Sequence, residues 1–156
     1  MDKLISANIK LRWFVLPSLC ILFLQHSNLA DAKQSFGDYE GAVYVRNYDG
    51  DTITFNLPTL HPIIGENISL RVNGIDAPEI RGKCAKEIYN AEQARDMVSD
   101  ILKDAGQIAL KNLKRGKYFR IVADVYVDKE SLAVMLVEAG VAIPYSGGKK
   151  SKNWCE

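Results

Sequence analysis

Within nine residues, Arg71-Val72-Asn73-Gly74-Ile75-Asp76-Ala77-Pro78-Glu79, the chain sets out a cation, two carboxylates and a proline bend. A guanidinium offers a planar fork to a phosphate. A carboxylate at a strand end can hold a hard cation, and one just past a bend can be aimed at the same point. The stretch can equally be a strand with a surface arginine running into a polar turn. What favours the chemical reading is a second acidic turn, Asp49-Gly50-Asp51-Thr52, which also follows a strand-like run. An Asp-Gly hairpin turn accounts for Asp49 and Gly50, because positive φ is cheap for that pair. It does not account for Asp51.

The elements that must position these residues follow from periodicity. Alternating or β-branched runs predict strands over 41–48, 52–57, 67–75, 107–113 and 118–127. Ile53, Phe55 and Leu57 share one face of the second, and Arg120 lies near the start of the fifth. Between the third and fourth strands the period turns helical over 85–103. Ile88, Ala91, Ala94 or Arg95, Val98, Ile101 and Leu102 form its apolar stripe. Ser131 is expected to cap a short final helix that buries Leu132, Met135, Leu136 and Ala139, with Gly140 beyond it. Three strands, a helix, two strands and a helix fit an α+β, mainly β fold. The expected architecture is a five-stranded OB-type barrel with two or three packed helices, a face used for nucleic acid or oligosaccharide.

The N-terminal segment reads as an export signal. Lys3, Lys10 and Arg12 precede an apolar run, and Ala30-Asp31-Ala32 supplies the small residues of a cleavage site. The run, about a dozen residues, is short against the roughly 20 a spanning helix needs. Residues 1–32 are therefore expected to be a signal peptide and 33–156 a single domain, exported to a periplasm or the cell exterior. No stable membrane association is expected after cleavage, and the domain is expected to be a monomer. Setting aside Lys3, Lys10, Arg12, Asp2 and Asp31 leaves 17 charges of each sign, so any basic surface must be local. Cys84 and Cys155 remain, which in an oxidising compartment suggests one disulfide, with two free thiols as the alternative. His61 is the one histidine left, in a loop. A serine triad or a His-rich zinc site would rest on it alone, so acid–base work falls to carboxylates, lysine or tyrosine.

Asp49-Gly50-Asp51-Thr52, Arg71 through Asp76-Ala77-Pro78-Glu79, and Lys117-Tyr118-Phe119-Arg120 occur in that order at compatible separations. Together with the element order and Ala139-Gly140-Val141-Ala142, they resemble the staphylococcal nuclease family over roughly 43–145. The resemblance implies that Asp51 and Asp76 ligate Ca²⁺, helped by the backbone carbonyl of Ala77. It implies that Arg71 and Arg120 grip the scissile phosphate and that Glu79 activates the attacking water. Tyr118 would lie beside the phosphate or base; apart from the resemblance, Lys117 is a candidate contact to the nucleic-acid backbone, with solvated surface as the alternative. DNA and RNA would be cleaved with little sequence preference at the 5′ P–O bond, leaving 3′-phosphates. This chain departs from the family pattern in four ways. Ala77 replaces threonine, Phe119 replaces glycine, the loop 80–83 is short, and the cysteine pair is additional. The alternative is a non-catalytic OB module that binds nucleic acid or protein on the same face. The presence of all five charged groups argues for the enzyme. Lys114, Arg115, Lys149 and Lys150 are expected to be solvated surface rather than contacts to the phosphate backbone.

Overall fold

The computed structural model describes residues 34–150 and 152–156, which fall in one compact unit. The expected signal peptide lies outside the described residues. Five longer strands carry the fold: β2 (Val43–Asn47), β3 (Thr52–Asn56), β4 (Ile68–Val72), β6 (Ile108–Arg115) and β7 (Ile121–Val127). Short strands join them, namely β1 (Tyr39–Glu40), β5 (Ile75–Asp76), β8 (Glu130–Ser131) and β9 (Ile143–Pro144). The main sheet runs β1-β6-β7-β4-β3-β2, with β8 on β7, while β5 pairs with β9 separately. All pairs are antiparallel except β4–β7, in which Leu70, Arg71 and Val72 lie beside Ile121, Val122 and Ala123. The curled sheet and three helices are those of the mainly β, OB-type α+β class expected from the sequence.

The helices are α1 (Pro62–Gly65), α2 (Ala85–Lys103) and α3 (Leu132–Glu138). α2 occupies the residues its periodicity predicts. Its N-terminus is fixed by Cys84, whose sulfur accepts from the Glu87 N–H at 3.4 Å. Ala91, Ala94, Val98 and Leu102 are buried, and Val98 and Leu102 join a core with Ile53, Phe55, Leu70, Val72, Leu110, Val125, Leu132 and Leu136. Burying a side chain such as Val98 or Leu102 contributes about 1.5–3 kcal/mol.

Several expectations need correction. Ile88 is exposed and Glu87 is buried in its stead. Glu87 turns inward because its Oε2 accepts from the Lys83 N–H at 2.8 Å, closing the turn ahead of the helix. Ala139 ends α3 rather than lining it and is exposed. The third strand is broken by the turn at Asn73-Gly74, with Gly74 at φ 83°, so that Asp76 sits on β5 and not on β4. Asp49-Gly50 does not use positive φ. Gly50 is required for space: a Cβ there would stand 2.9 Å from Ala94 Cβ and 3.0 Å from Ala77 Cβ. That contact brings α2 against the β2–β3 turn and the segment after β5. His61 is exposed, as expected, and its Nδ1 caps α1 by accepting from the Ile63 N–H. Among the described residues, no helix is long and apolar enough to cross a membrane.

Candidate active site

Two backbone pairings bring the acidic turn to the Arg71–Glu79 segment, and two more tie that segment to β9 and Tyr145. Thr52 lies beside Arg71 in the β3–β4 register, and the Val72 N–H donates to the Asp51 carbonyl at 2.8 Å. The β5–β9 pair sets Asp76 beside Ile143, and the Tyr145 N–H donates to the Gly74 carbonyl at 2.8 Å. Asp51 and Asp76 are thus delivered by different elements, and both are almost completely buried, at 2 % and 1 % exposure.

Arg71 joins them. Its Nη2 lies 2.6 Å from Asp51 Oδ2 and 3.1 Å from Asp76 Oδ1. Asp51 Oδ2 also accepts from the Ala77 N–H at 3.2 Å, and Asp51 Oδ1 from the Thr52 hydroxyl at 3.1 Å. Asp49 serves the turn, as its Oδ1 accepts from the N–H groups of Asp51 and Thr52 at 3.1 and 2.8 Å. Glu79, half-exposed beyond Pro78, meets the cluster through Lys150. The Lys150 ammonium lies 2.7 Å from Glu79 Oε1 and 3.0 Å from Asp76 Oδ1. Lys150 is therefore part of the site and not free surface, which corrects the sequence expectation.

The cluster is short of positive charge. Burial, and then the neighbouring Asp49, push the Asp51 carboxyl up to about 7, against the opposing effects of Arg71, the Ala77 N–H and Thr52. The guanidinium that Asp51 shares with Asp76 does not offset the loss of water at Asp51. Burial also raises Asp49, in spite of its hydrogen bonds from Asp51 and Thr52, and Glu79 adds to the shift. Burial pulls the Lys150 ammonium down, but its bonds to Glu79 and Asp76 outweigh that and leave it above the ordinary lysine value. Asp76 Oδ2 is buried with no hydrogen-bond partner. A buried carboxylate oxygen with no donor costs free energy unless something positive meets it. Asp51, Asp76 and Glu79 offer only oxygen, the donor chemistry a hard divalent cation takes, and in this structure they meet one another through Arg71 and Lys150.

The remaining candidates are not in this cluster. Arg120 precedes β7, exposed, and among the described residues its guanidinium has no hydrogen bond or ion pair. Continuing the β4–β7 register back by one residue sets it beside Ser69, on the side of the sheet that carries Arg71. The fifth strand begins at Ile121 and not at Tyr118, because Lys117–Phe119 form a single tight turn. Tyr118 and Phe119 both have φ 58° and are 88 % and 85 % exposed. The left-handed backbone at Phe119 is the conformation glycine adopts without strain, so the aromatic side chain there is held out into solvent at a backbone cost. Lys117 is exposed beside it. Cys84 and Cys155 are joined by a disulfide, with Cα atoms 6.0 Å apart. Sequence reasoning missed Lys150, for which a lysine after a Gly-Gly pair gives no signal of its own.

The site is a buried carboxylate pair bridged by arginine on an OB-type sheet, with an exposed basic and aromatic turn ahead of β7. The model of the family described as staphylococcal nuclease homologue matches residues 69–154, more than half of the chain. The chain belongs to that family, so it is a nuclease-type domain of the hydrolase class with nucleic acid as the implied substrate. A comparison with curated proteins finds no match.

Proposed function

We propose that residues 33–156 form an exported, Ca²⁺-dependent nuclease that hydrolyses phosphodiester bonds of DNA and RNA with little sequence preference. The observation that carries this reading is the partnerless Asp76 Oδ2 in a buried cluster that also holds Asp51 and Arg71. Asp51 and Asp76, with the Ala77 carbonyl, would hold the cation. When bound, it supplies Lewis-acid stabilisation of the negative charge that builds on the phosphoryl oxygens. Arg71 and Arg120 bind non-bridging oxygens of the phosphate and stabilise the same charge. Glu79 takes a proton from a water whose oxygen forms the new bond to phosphorus. The P–O5′ bond breaks, and the 5′ oxygen leaves with a proton from solvent. Lys117 and Tyr118 contact phosphate and base along the strand, and contacts to phosphate rather than base edges give low sequence specificity and salt-sensitive binding. The export reading carries the disulfide with it, since Cys84–Cys155 persists in an oxidising compartment.

The direct test incubates the oxidised domain with single-stranded and duplex DNA, in Ca²⁺ or in chelator, beside Asp76→Asn. The expected result is cleavage to 3′-phosphate ends in Ca²⁺, lost in chelator and in the variant. A folded protein that binds DNA without cutting it in Ca²⁺ would leave a binding module instead. One feature favours that second reading: Lys150 occupies both Asp76 Oδ1 and Glu79 Oε1.

A further inference from the structure

The C-terminal tail returns to the site by identifiable means. After β9, Gly147 and Gly148 take φ 102° and 92°, and the Tyr145 hydroxyl donates to the Gly148 carbonyl at 2.7 Å. This turn reverses the chain so that Lys150, two residues on, reaches Asp76 and Glu79. Beyond it the tail is anchored three ways. Trp154 is buried, Cys155 is bonded to Cys84 ahead of α2, and the Lys86 ammonium donates to the Glu156 carbonyl. Lys150 thus lies on a short segment tied at both ends, by β9 on one side and the disulfide on the other. Tethering converts the approach of its ammonium to the carboxylates into an intramolecular event at high effective concentration.

From this arrangement we propose that Lys150 is a built-in counter-ion that competes with the divalent cation for Asp76 and Glu79, so that the disulfide-tied tail sets the cation concentration at which the site fills. Its ammonium bonds to Asp76 Oδ1, on the carboxylate assigned to the cation, and to Glu79 Oε1, on the group assigned to take the proton. The same contact therefore occupies both roles, and filling the site with the cation frees Glu79. Lys149, one residue earlier, is exposed and makes no ion pair among the described residues. The inference rests on the reading of Asp76 as a ligand and Glu79 as the base.

The test measures Ca²⁺ binding by calorimetry, without nucleic acid, on the oxidised domain and on Lys150→Met and Lys149→Met. The two variants lose the same charge, but only one loses the contact. Lys150→Met is expected to bind Ca²⁺ at least tenfold more tightly than wild type, with Lys149→Met within about twofold of it. Cys84→Ser/Cys155→Ser, with the tail released, is expected to shift in the same direction as Lys150→Met by a smaller factor. Equal tightening in the two lysine variants would overturn the proposal, since it would reduce Lys150 to general surface charge. Unchanged or weaker binding in Lys150→Met would overturn it as well, while leaving the cation site standing. Absence of binding in every variant would overturn both the proposal and the cation site on which it rests.

Discussion

Asp51→Asn is expected to make the cation-free domain more stable at pH 8 while removing its activity. Asp51 is held at about 7, above an ordinary carboxylate value of 3.8, chiefly by burial and by Asp49. The folded state therefore binds a proton that the unfolded state has lost between those two values. Stability of the cation-free protein falls as pH rises across that window, and the whole cost is present above pH 7. The difference amounts to as much as about 4 kcal/mol. Asparagine removes the charge, keeps an acceptor for the Ala77 N–H, and leaves Arg71 its contact with Asp76 at 3.1 Å. Retaining half of the calculated relief, about 2 kcal/mol, would raise Tm by roughly 6–10 °C in a domain of this size. The assay is thermal unfolding in chelator at pH 5 and pH 8, for wild type and variant. The gain should be largest at pH 8 and fall to somewhat over a third of that at pH 5, which lies inside the window, and added Ca²⁺ should reverse the order at pH 8 by stabilising wild type alone. A variant less stable than wild type in chelator at pH 8 would refute the electrostatic argument, because it would make Asp51 a net stabilising partner of Arg71.

Gly50→Ala would force a Cβ to 2.9 Å from Ala94 Cβ and should cost about 1–3 kcal/mol, read as a lower urea midpoint. Cys84→Ser/Cys155→Ser opens a loop of 71 residues and should cost roughly 4 kcal/mol, read as a fall in Tm relative to the oxidised wild type. Tyr118→Ala and Phe119→Ala should leave Tm within a few degrees of wild type, since both side chains are exposed. Each should weaken binding of single-stranded DNA by the equivalent of about 1–3 kcal/mol if bases stack there, as measured by fluorescence anisotropy.

What the sequence made legible divides along physical lines. α2 could be placed because a 19-residue helix repeats its period five times over. The grouping of Asp51, Arg71 and Asp76 came from a motif resemblance, and the β3–β4 register accounts for it in backbone terms. Strand ends were harder to read. Tyr118 and Phe119 have strand-forming side chains, yet the backbone turns left-handed under them, and propensity carries no information about that turn. Gly50 was read as a turn glycine, whereas its role depends on Ala77 and Ala94, distant neighbours in the chain. Glu87 and Ile88 exchanged burial because one hydrogen bond to Lys83 outweighed the apolar stripe. Lys150 was illegible for a similar reason, as its position depends on a two-glycine reversal and a covalent bond to Cys84.

The most direct measurement of the central claim is the single-turnover rate of DNA cleavage by oxidised wild type and Glu79→Gln at saturating Ca²⁺. The account predicts a fall of about 10²- to 10⁴-fold in the chemical step, with DNA binding retained, because glutamine keeps the shape but cannot take the proton. A Glu79→Gln enzyme that cleaves at the wild-type rate would contradict it.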